Sequence, residues 1–270
     1  MMRKSWAAIG LVAALLLGGC AERISAPPPP IVKPAETPWT AAIGRMDVDG
    51  AQSCTAVLVA PSTILTASHC LHQAEIPALP QSVHFHPNYG AEPELPPSVG
   101  VAIRAQGGAI REGRLNKPEQ VAADWVLVGI APPVKIVAPI PLADLSAQAI
   151  LDRIGHGDRL FTAGYGYGGM KALKQHGKCA VVNPKLSDPI YATGMLVTNC
   201  IIRVGDSGGP VILLDDKGKP KLIGLFAGFG MGSKLGLSYA VNASRVTPYL
   251  NPPLVSYLVL LPPEAADSVP

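Results

Sequence analysis

Gly205-Asp206-Ser207-Gly208-Gly209-Pro210 runs directly into the apolar stretch Val211-Ile212-Leu213-Leu214. A serine in such a turn at the head of a strand is open to close approach, because glycines put no Cβ in the way. The amides of Gly205 and Ser207 can converge on one point, and a fixed pair of N–H donors suits the oxyanion of a tetrahedral intermediate. Two further segments carry matching chemistry. Thr66-Ala67-Ser68-His69-Cys70 follows a short apolar run and sets a candidate base, His69, at a strand end beside a cysteine. Asp124 directly precedes Trp125-Val126-Leu127-Val128, which buries its carboxylate at a strand edge. A buried carboxylate needs a partner, and a histidine N–H is a suitable one. Alone, a histidine or an aspartate is usually just a hydrogen-bonded residue. Together with this serine they point to a nucleophile, its base and the base's orienter.

Short apolar runs bounded by turn residues surround these segments, first at 41–46, 54–59, 63–66, 83–86, 99–105 and 125–130. After a proline-punctuated stretch at 132–141 they resume at 159–164, 178–182, 195–199, 210–214, 222–226 and 237–241. Runs of this kind are strands, and two such sets predict an all-β protein of two antiparallel six-stranded β-barrels. Only 244–250 reads as a helix, short and C-terminal. Composition agrees: 48% hydrophobic residues in a chain of 270 leave ample core, while 28 Gly and 28 Pro favour turns over a helical bundle. The net charge of +3 is spread without a Lys/Arg run, so nucleic acid is not an expected partner.

Arg3 and Lys4 precede an apolar stretch at 5–17 that is too short for an ordinary transmembrane helix, the pattern of a targeting segment. It ends Leu17-Gly18-Gly19-Cys20, which resembles the bacterial lipobox, where cleavage falls before an acylated cysteine. Residues 1–19 then form a lipoprotein signal peptide, and lipidated Cys20 attaches the mature chain to a membrane. Ala21 after the cysteine, rather than Asp, points to the outer membrane of a Gram-negative envelope, facing the periplasm. The other reading is a plain secretory signal and a secreted or periplasmic protein. Residues 20–38 hold Pro27-Pro28-Pro29-Pro30, which favours an extended tether. With Cys20 set aside, Cys54, Cys70, Cys179 and Cys200 form an even set suited to an oxidising compartment. Three pairings are open, and sequence proximity favours Cys54 with Cys70 and Cys179 with Cys200.

Through the motifs around Ser207 and His69, through Pro38-Trp39-Thr40-Ala41-Ala42-Ile43-Gly44-Arg45 and Cys54-Thr55-Ala56-Val57-Leu58-Val59, and through the order His, Asp, Ser, the sequence resembles the trypsin-like serine peptidases. Within them it is similar to the bacterial branch related to the glutamyl endopeptidases. The resemblance implies a peptidase domain at 39–252, with barrels at about 39–131 and 149–252, a linker at 132–148 and a tail at 253–270. It implies Ser207 as nucleophile, His69 as general base and acid, Asp124 orienting His69, and the Gly205 and Ser207 amides as oxyanion hole. Protein or peptide substrates and no cofactor follow from it, and it agrees with the two proximate disulfides.

In the same resemblance Ile201, Ile202, Phe226 and Ala227 belong to the specificity pocket. Ile201 stands six residues before Ser207, where cleavage after Lys or Arg needs an aspartate, and Leu225-Phe226-Ala227-Gly228 has no histidine to receive an acidic side chain. An uncharged residue before the cut is the expectation. The serine usual near the position of Ala227 is missing. Ile31-Val32 lies upstream of Pro38-Trp39 as the new N-terminus of an activated zymogen does, with Asp206 as the possible acceptor of its α-ammonium. The bacterial branch does not require that pairing, so the uncut chain is expected to be active, with Asp206 meeting a backbone amide or another cation. His84 and His86 share one strand face without a third ligand in spacing, and no metal site is expected. Gly164-Tyr165-Gly166-Tyr167-Gly168-Gly169 satisfies G-x-G-x-x-G formally, but no parallel βαβ unit surrounds it and a loop is the reading.

Overall fold

A computed structural model of the chain describes residues 38–49, 53–72, 79–91, 95–108, 117–166, 171–182, 194–229 and 236–250. The expected signal segment, Cys20, the tether, Ile31-Val32 and the C-terminal tail lie outside the described residues.

Six strands, β1 (Ile43–Val48), β2 (Cys54–Ala60), β3 (Thr63–Thr66), β4 (Val83–Pro87), β5 (Ser98–Gln106) and β6 (Val126–Ala131), close into a barrel in the order β1-β2-β3-β6-β5-β4. Six more form a second antiparallel sheet, β8-β7-β10-β11-β12-β9, from β7 (Arg159–Gly164), β8 (Lys174–Gln175), β9 (Met195–Thr198), β10 (Pro210–Leu214), β11 (Pro220–Phe229) and β12 (Ser238–Asn242). The chain after β8 turns back onto β9, where Val181 bridges Thr198 and the Val182 N–H donates to the Val197 carbonyl at 2.7 Å. The all-β class and the first six-stranded barrel stand as expected; the second set, expected as a barrel, is a six-stranded sheet in which β8 takes the place of the strand expected at 178–182.

Local chemistry explains where the elements differ from the sequence reading. Strand 178–182 was expected whole, but only a bridge forms there. The Ala180 N–H goes to the Asn199 side chain at 2.6 Å, and Cys179 is tied to Cys200. Helix α2 (Ala147–Gly155) occupies part of the expected linker and second barrel; α1 (Pro118–Ala122) was also not anticipated. Ser146 caps α2, its Oγ accepting from the Ala149 N–H at 3.2 Å, and Ile150 is buried beneath it. The expected helix at 244–250 splits into a 3-10 turn, Ala243–Arg245, and α3 (Thr247–Leu250). Pro248 has no N–H to continue a ladder from the preceding turn.

Strands β3 and β10 are buried at every position, which is why they read as unbroken apolar runs. One core runs through both halves, with Ile43, Leu65 and Phe85 from the barrel meeting Tyr165, Ile212 and Leu225 from the second sheet. Trp39 packs its ring against Phe161 at 4.8 Å, edge to face, at the same seam. Both disulfides form as the proximity reading had them. Cys54–Cys70 ties the start of β2 to the turn carrying His69, and closing a loop of that length contributes about 3 kcal/mol on the chain-entropy picture.

Candidate active site

His69 lies in a 3-10 turn, Ser68–Leu71, directly after β3, and all four residues are buried. Asp124 follows α1 and is wholly buried, its own N–H held by the Val121 carbonyl at 3.1 Å. The Asp124 carboxylate grips His69 twice: Oδ1 accepts the backbone N–H at 2.8 Å, and Oδ2 lies 2.7 Å from the ring Nδ1. A proton on Nδ1 satisfies that carboxylate and makes Nε2 the acceptor nitrogen of the ring. Nε2 faces Cys70 Sγ at 4.0 Å, and the same sulfur is 4.0 Å from the Ser207 carbonyl oxygen. The structure thus brings His69 and Asp124 into direct contact, and one sulfur atom, Cys70 Sγ, touches both Nε2 and the Ser207 backbone. Cys54, His69 and Cys70 cluster closely enough for a metal, but the two sulfurs are joined and offer no thiolate.

The turn around Ser207 depends on glycine at two places. Gly205 (φ +98°) and Gly208 (φ +78°) adopt backbone that other residues rarely reach, and a Cβ on Gly208 would also run into the Thr55 carbonyl and the Thr66 hydroxyl. The turn is closed by Asp206 N–H to the Arg203 carbonyl at 2.9 Å and Gly209 N–H to the Asp206 carbonyl at 2.8 Å. It is sewn to β11 by Gly208 N–H to the Phe226 carbonyl at 2.7 Å and by Phe226 N–H to the Gly209 carbonyl at 2.8 Å. From the other half, Thr55 on β2 reaches across. Its N–H donates to the Ser207 carbonyl at 2.9 Å, and its hydroxyl donates to the Gly205 carbonyl at 2.8 Å while accepting the Tyr165 N–H at 2.9 Å. The carbonyls of residues 205 and 207 are therefore pinned, which fixes the orientation of the peptides beside them.

Asp206 points inward and is 1% exposed. Its Oδ1 accepts the Gly166 N–H at 2.8 Å, its Oδ2 accepts the Arg203 N–H at 2.7 Å, and His176 Nε2 lies 2.9 Å from Oδ2. A Cβ on either Gly164 or Gly166 would fall on this carboxylate. The two glycines of the G-x-G pattern thus make room for an aspartate side chain. Tyr165 between them is buried, and burial pushes its phenol well above the ordinary range, so it stays neutral and donates to the Tyr89 carbonyl at 3.2 Å.

Of the residues expected at the specificity pocket, Ile201 is exposed, whereas Ile202, Phe226 and Ala227 are buried. The Phe226 ring stands edge-on to His176 at 5.7 Å between centroids. Val204 and Phe229 add exposed apolar surface on the nucleophile turn and on β11. His84 and His86 face Asp49 at 3.2 Å and Asp47 at 3.6 Å on the outer face of the barrel. Sequence reading missed two contributors. Thr55 was visible within a motif but had no role until its partner 150 residues away was placed. His176 sits in no motif at all.

The sequence model of a family described as Trypsin matches residues 32–251. Among solved structures, the chain is similar to the scabies mite inactivated protease paralogue S-D1, at 14% identity and a TM-score of 0.58, covering 83% of this chain and 95% of that one. It is similar to the scabies mite inactivated protease paralogue S-I1 at 15% identity and a TM-score of 0.59, covering 83% and 97%. At these identities the likeness is one of fold. No curated protein matches the chain.

Proposed function

The chain belongs to the trypsin family, and from that membership we propose that it is a serine endopeptidase in which Ser207, His69 and Asp124 carry the reaction. The observation that carries the reading is the pairing of His69 Nδ1 with a fully buried Asp124, which makes Nε2 the acceptor nitrogen, 4.0 Å from the sulfur that also contacts the Ser207 carbonyl. In the reaction Nε2 takes the Ser207 hydroxyl proton as Oγ attacks the scissile carbonyl carbon, and the amides of Gly205 and Ser207 receive the oxyanion. The imidazolium then gives its proton to the departing amine, leaving an acyl-serine. Water enters, His69 takes its proton, and the ester is hydrolysed to regenerate Ser207. Exposed Ile201, Val204 and Phe229 offer apolar surface beside the turn, which favours an uncharged side chain before the cut.

The lipobox at Leu17-Gly18-Gly19-Cys20 makes this a lipid-anchored enzyme of the bacterial envelope, held off the membrane by its proline tether. Labelling of the purified protein with a fluorophosphonate tests the catalytic reading: wild type labels, and Ser207→Ala does not. Hydrolysis undiminished in Ser207→Ala overturns the assignment. A second reading, a catalytically inert peptide binder on the same fold, draws on the two inactivated protease paralogues among the structural neighbours and on alanine at position 227. Absence of labelling in folded wild type would favour it.

A further inference from the structure

Asp206 and His176 form a buried pair for which the reaction above has no use. We propose that His176 is the internal partner that holds the Asp206 carboxylate and so orders the turn carrying Ser207, leaving the uncut chain complete without a freed N-terminus. The inference rests on the peptidase reading and names the device that keeps its oxyanion hole in place.

The carboxylate is already supplied with donors. Oδ1 has the Gly166 N–H, and Oδ2 has the Arg203 N–H and His176 Nε2. A charge buried to this depth persists only when it is paired and hydrogen-bonded, and these three donors meet that need from within the folded domain. An α-ammonium arriving from upstream would have to displace one of them. Gly164 and Gly166 crowd the carboxylate so closely that neither has room for a Cβ, so the cradle is shaped around the side chain as it stands.

His176 is equally fixed. The residue is 4% exposed, its backbone N–H donates to the Thr162 carbonyl at 2.9 Å, and its ring Nδ1 lies 3.2 Å from the Thr162 hydroxyl. The Phe226 ring closes one side. With the threonine hydroxyl donating to Nδ1, the ring proton sits on Nε2 and is directed at Asp206. Asp206 in turn lies between Gly205 and Ser207, whose amides form the proposed hole, and its side chain also holds Arg203 at the start of the turn. Without His176, Oδ2 keeps the Arg203 N–H beside a ring-sized void, and the peptides on both sides of Asp206 lose their common anchor. His176 is therefore a positioning residue and touches no substrate.

The test uses the full mature chain in detergent, its intact N-terminus verified by mass, assayed on a chromogenic peptide substrate. Wild type is expected to turn over with Cys20 still its first residue. His176→Ala should lose about 10- to 1,000-fold in kcat, the upper end being the cost of one oxyanion donor, with little change in KM. Imidazole added to His176→Ala should restore part of the rate, and oxazole, a ring of the same size without an N–H, should not. His176→Gln, which keeps a donor, should fall between the two and guards against a variant that fails to fold. Wild-type kcat in His176→Ala, equal rescue by oxazole, or activity confined to chains beginning at Ile31 would each overturn the proposal. A wild type inert to substrate and to fluorophosphonate sinks the peptidase reading instead. The pair is then read by imidazole 15N spectra: a slowly exchanging Nε2 proton lost in Asp206→Ala supports it, and no such proton in wild type overturns it.

Discussion

Replacing Thr55 with valine keeps the shape of the side chain and removes one hydroxyl. That hydroxyl serves two buried groups at once, the Gly205 carbonyl at 2.8 Å and the Tyr165 N–H at 2.9 Å, and Thr55 is itself wholly buried. No cavity opens, so the effect comes from the two polar groups left without a partner. Each costs about 1–3 kcal/mol, or roughly 2–6 kcal/mol together. Against a total stability of about 5–15 kcal/mol this is a large loss, and for a domain of this size it lowers the melting temperature by roughly 4–24 °C. Urea unfolding of Thr55→Val beside Thr55→Ser isolates the hydroxyl, since the serine variant keeps it and gives up one methyl at about 1 kcal/mol. The backbone bond from Thr55 N–H to Ser207 remains in both variants. Under the peptidase reading kcat falls in Thr55→Val more than in Thr55→Ser, because the carbonyl of Gly205, the residue that also presents one oxyanion amide, loses its side-chain anchor. Equal stability of the two variants would refute the reasoning.

Asp124→Asn should fold and lose about 10⁴-fold in kcat, because its amide can donate to His69 Nδ1 and leave the ring proton on Nε2, facing the serine it should deprotonate; steady-state kinetics reads this directly. Gly166→Ala should be strongly destabilised in thermal melts, since the new methyl overlaps the Asp206 carboxylate. Paired alanines at Cys54 and Cys70 should cost about 3 kcal/mol in urea unfolding and loosen the turn bearing His69. The Lys219 and Lys217 amides donate to Asp215 and hold its carboxyl below the ordinary carboxylate value of 3.8. The stability from that lowering is present above the ordinary value and is lost as pH falls through the native one. Asp215→Asn should therefore flatten the acid limb of the stability profile below about pH 4 while wild type keeps its slope.

Much of the architecture was readable because its signals are local. Strands β3, β7 and β10 are bounded by turn residues and appear at the expected residues. Ser207 with its glycines, and the contact between His69 and Asp124, followed from short motifs and from the need of a buried carboxylate for a donor. What stayed hidden was chemistry between segments distant in sequence. His176 meets Asp206 thirty residues on, and Thr55 meets Gly205 across the seam, and neither pairing leaves a pattern in either segment. Helix α2 was missed for another reason: its apolar positions fall in a proline-bounded region where a linker was the simpler reading, and Ser146 was the one cue to its start.

Each disulfide closes a loop inside its own half of the molecule, Cys54–Cys70 in the barrel and Cys179–Cys200 in the second sheet. Neither spans the segment at 132–141. A single nick there would give two pieces that part on a non-reducing denaturing gel yet stay together in native buffer through the shared core and the Thr55 bonds. His69 and Asp124 travel with one piece, Ser207 and Asp206 with the other. Expressed separately, each piece would hold half of the candidate machinery, so the chain has the layout of a split reporter whose signal appears only when its two fragments reassemble.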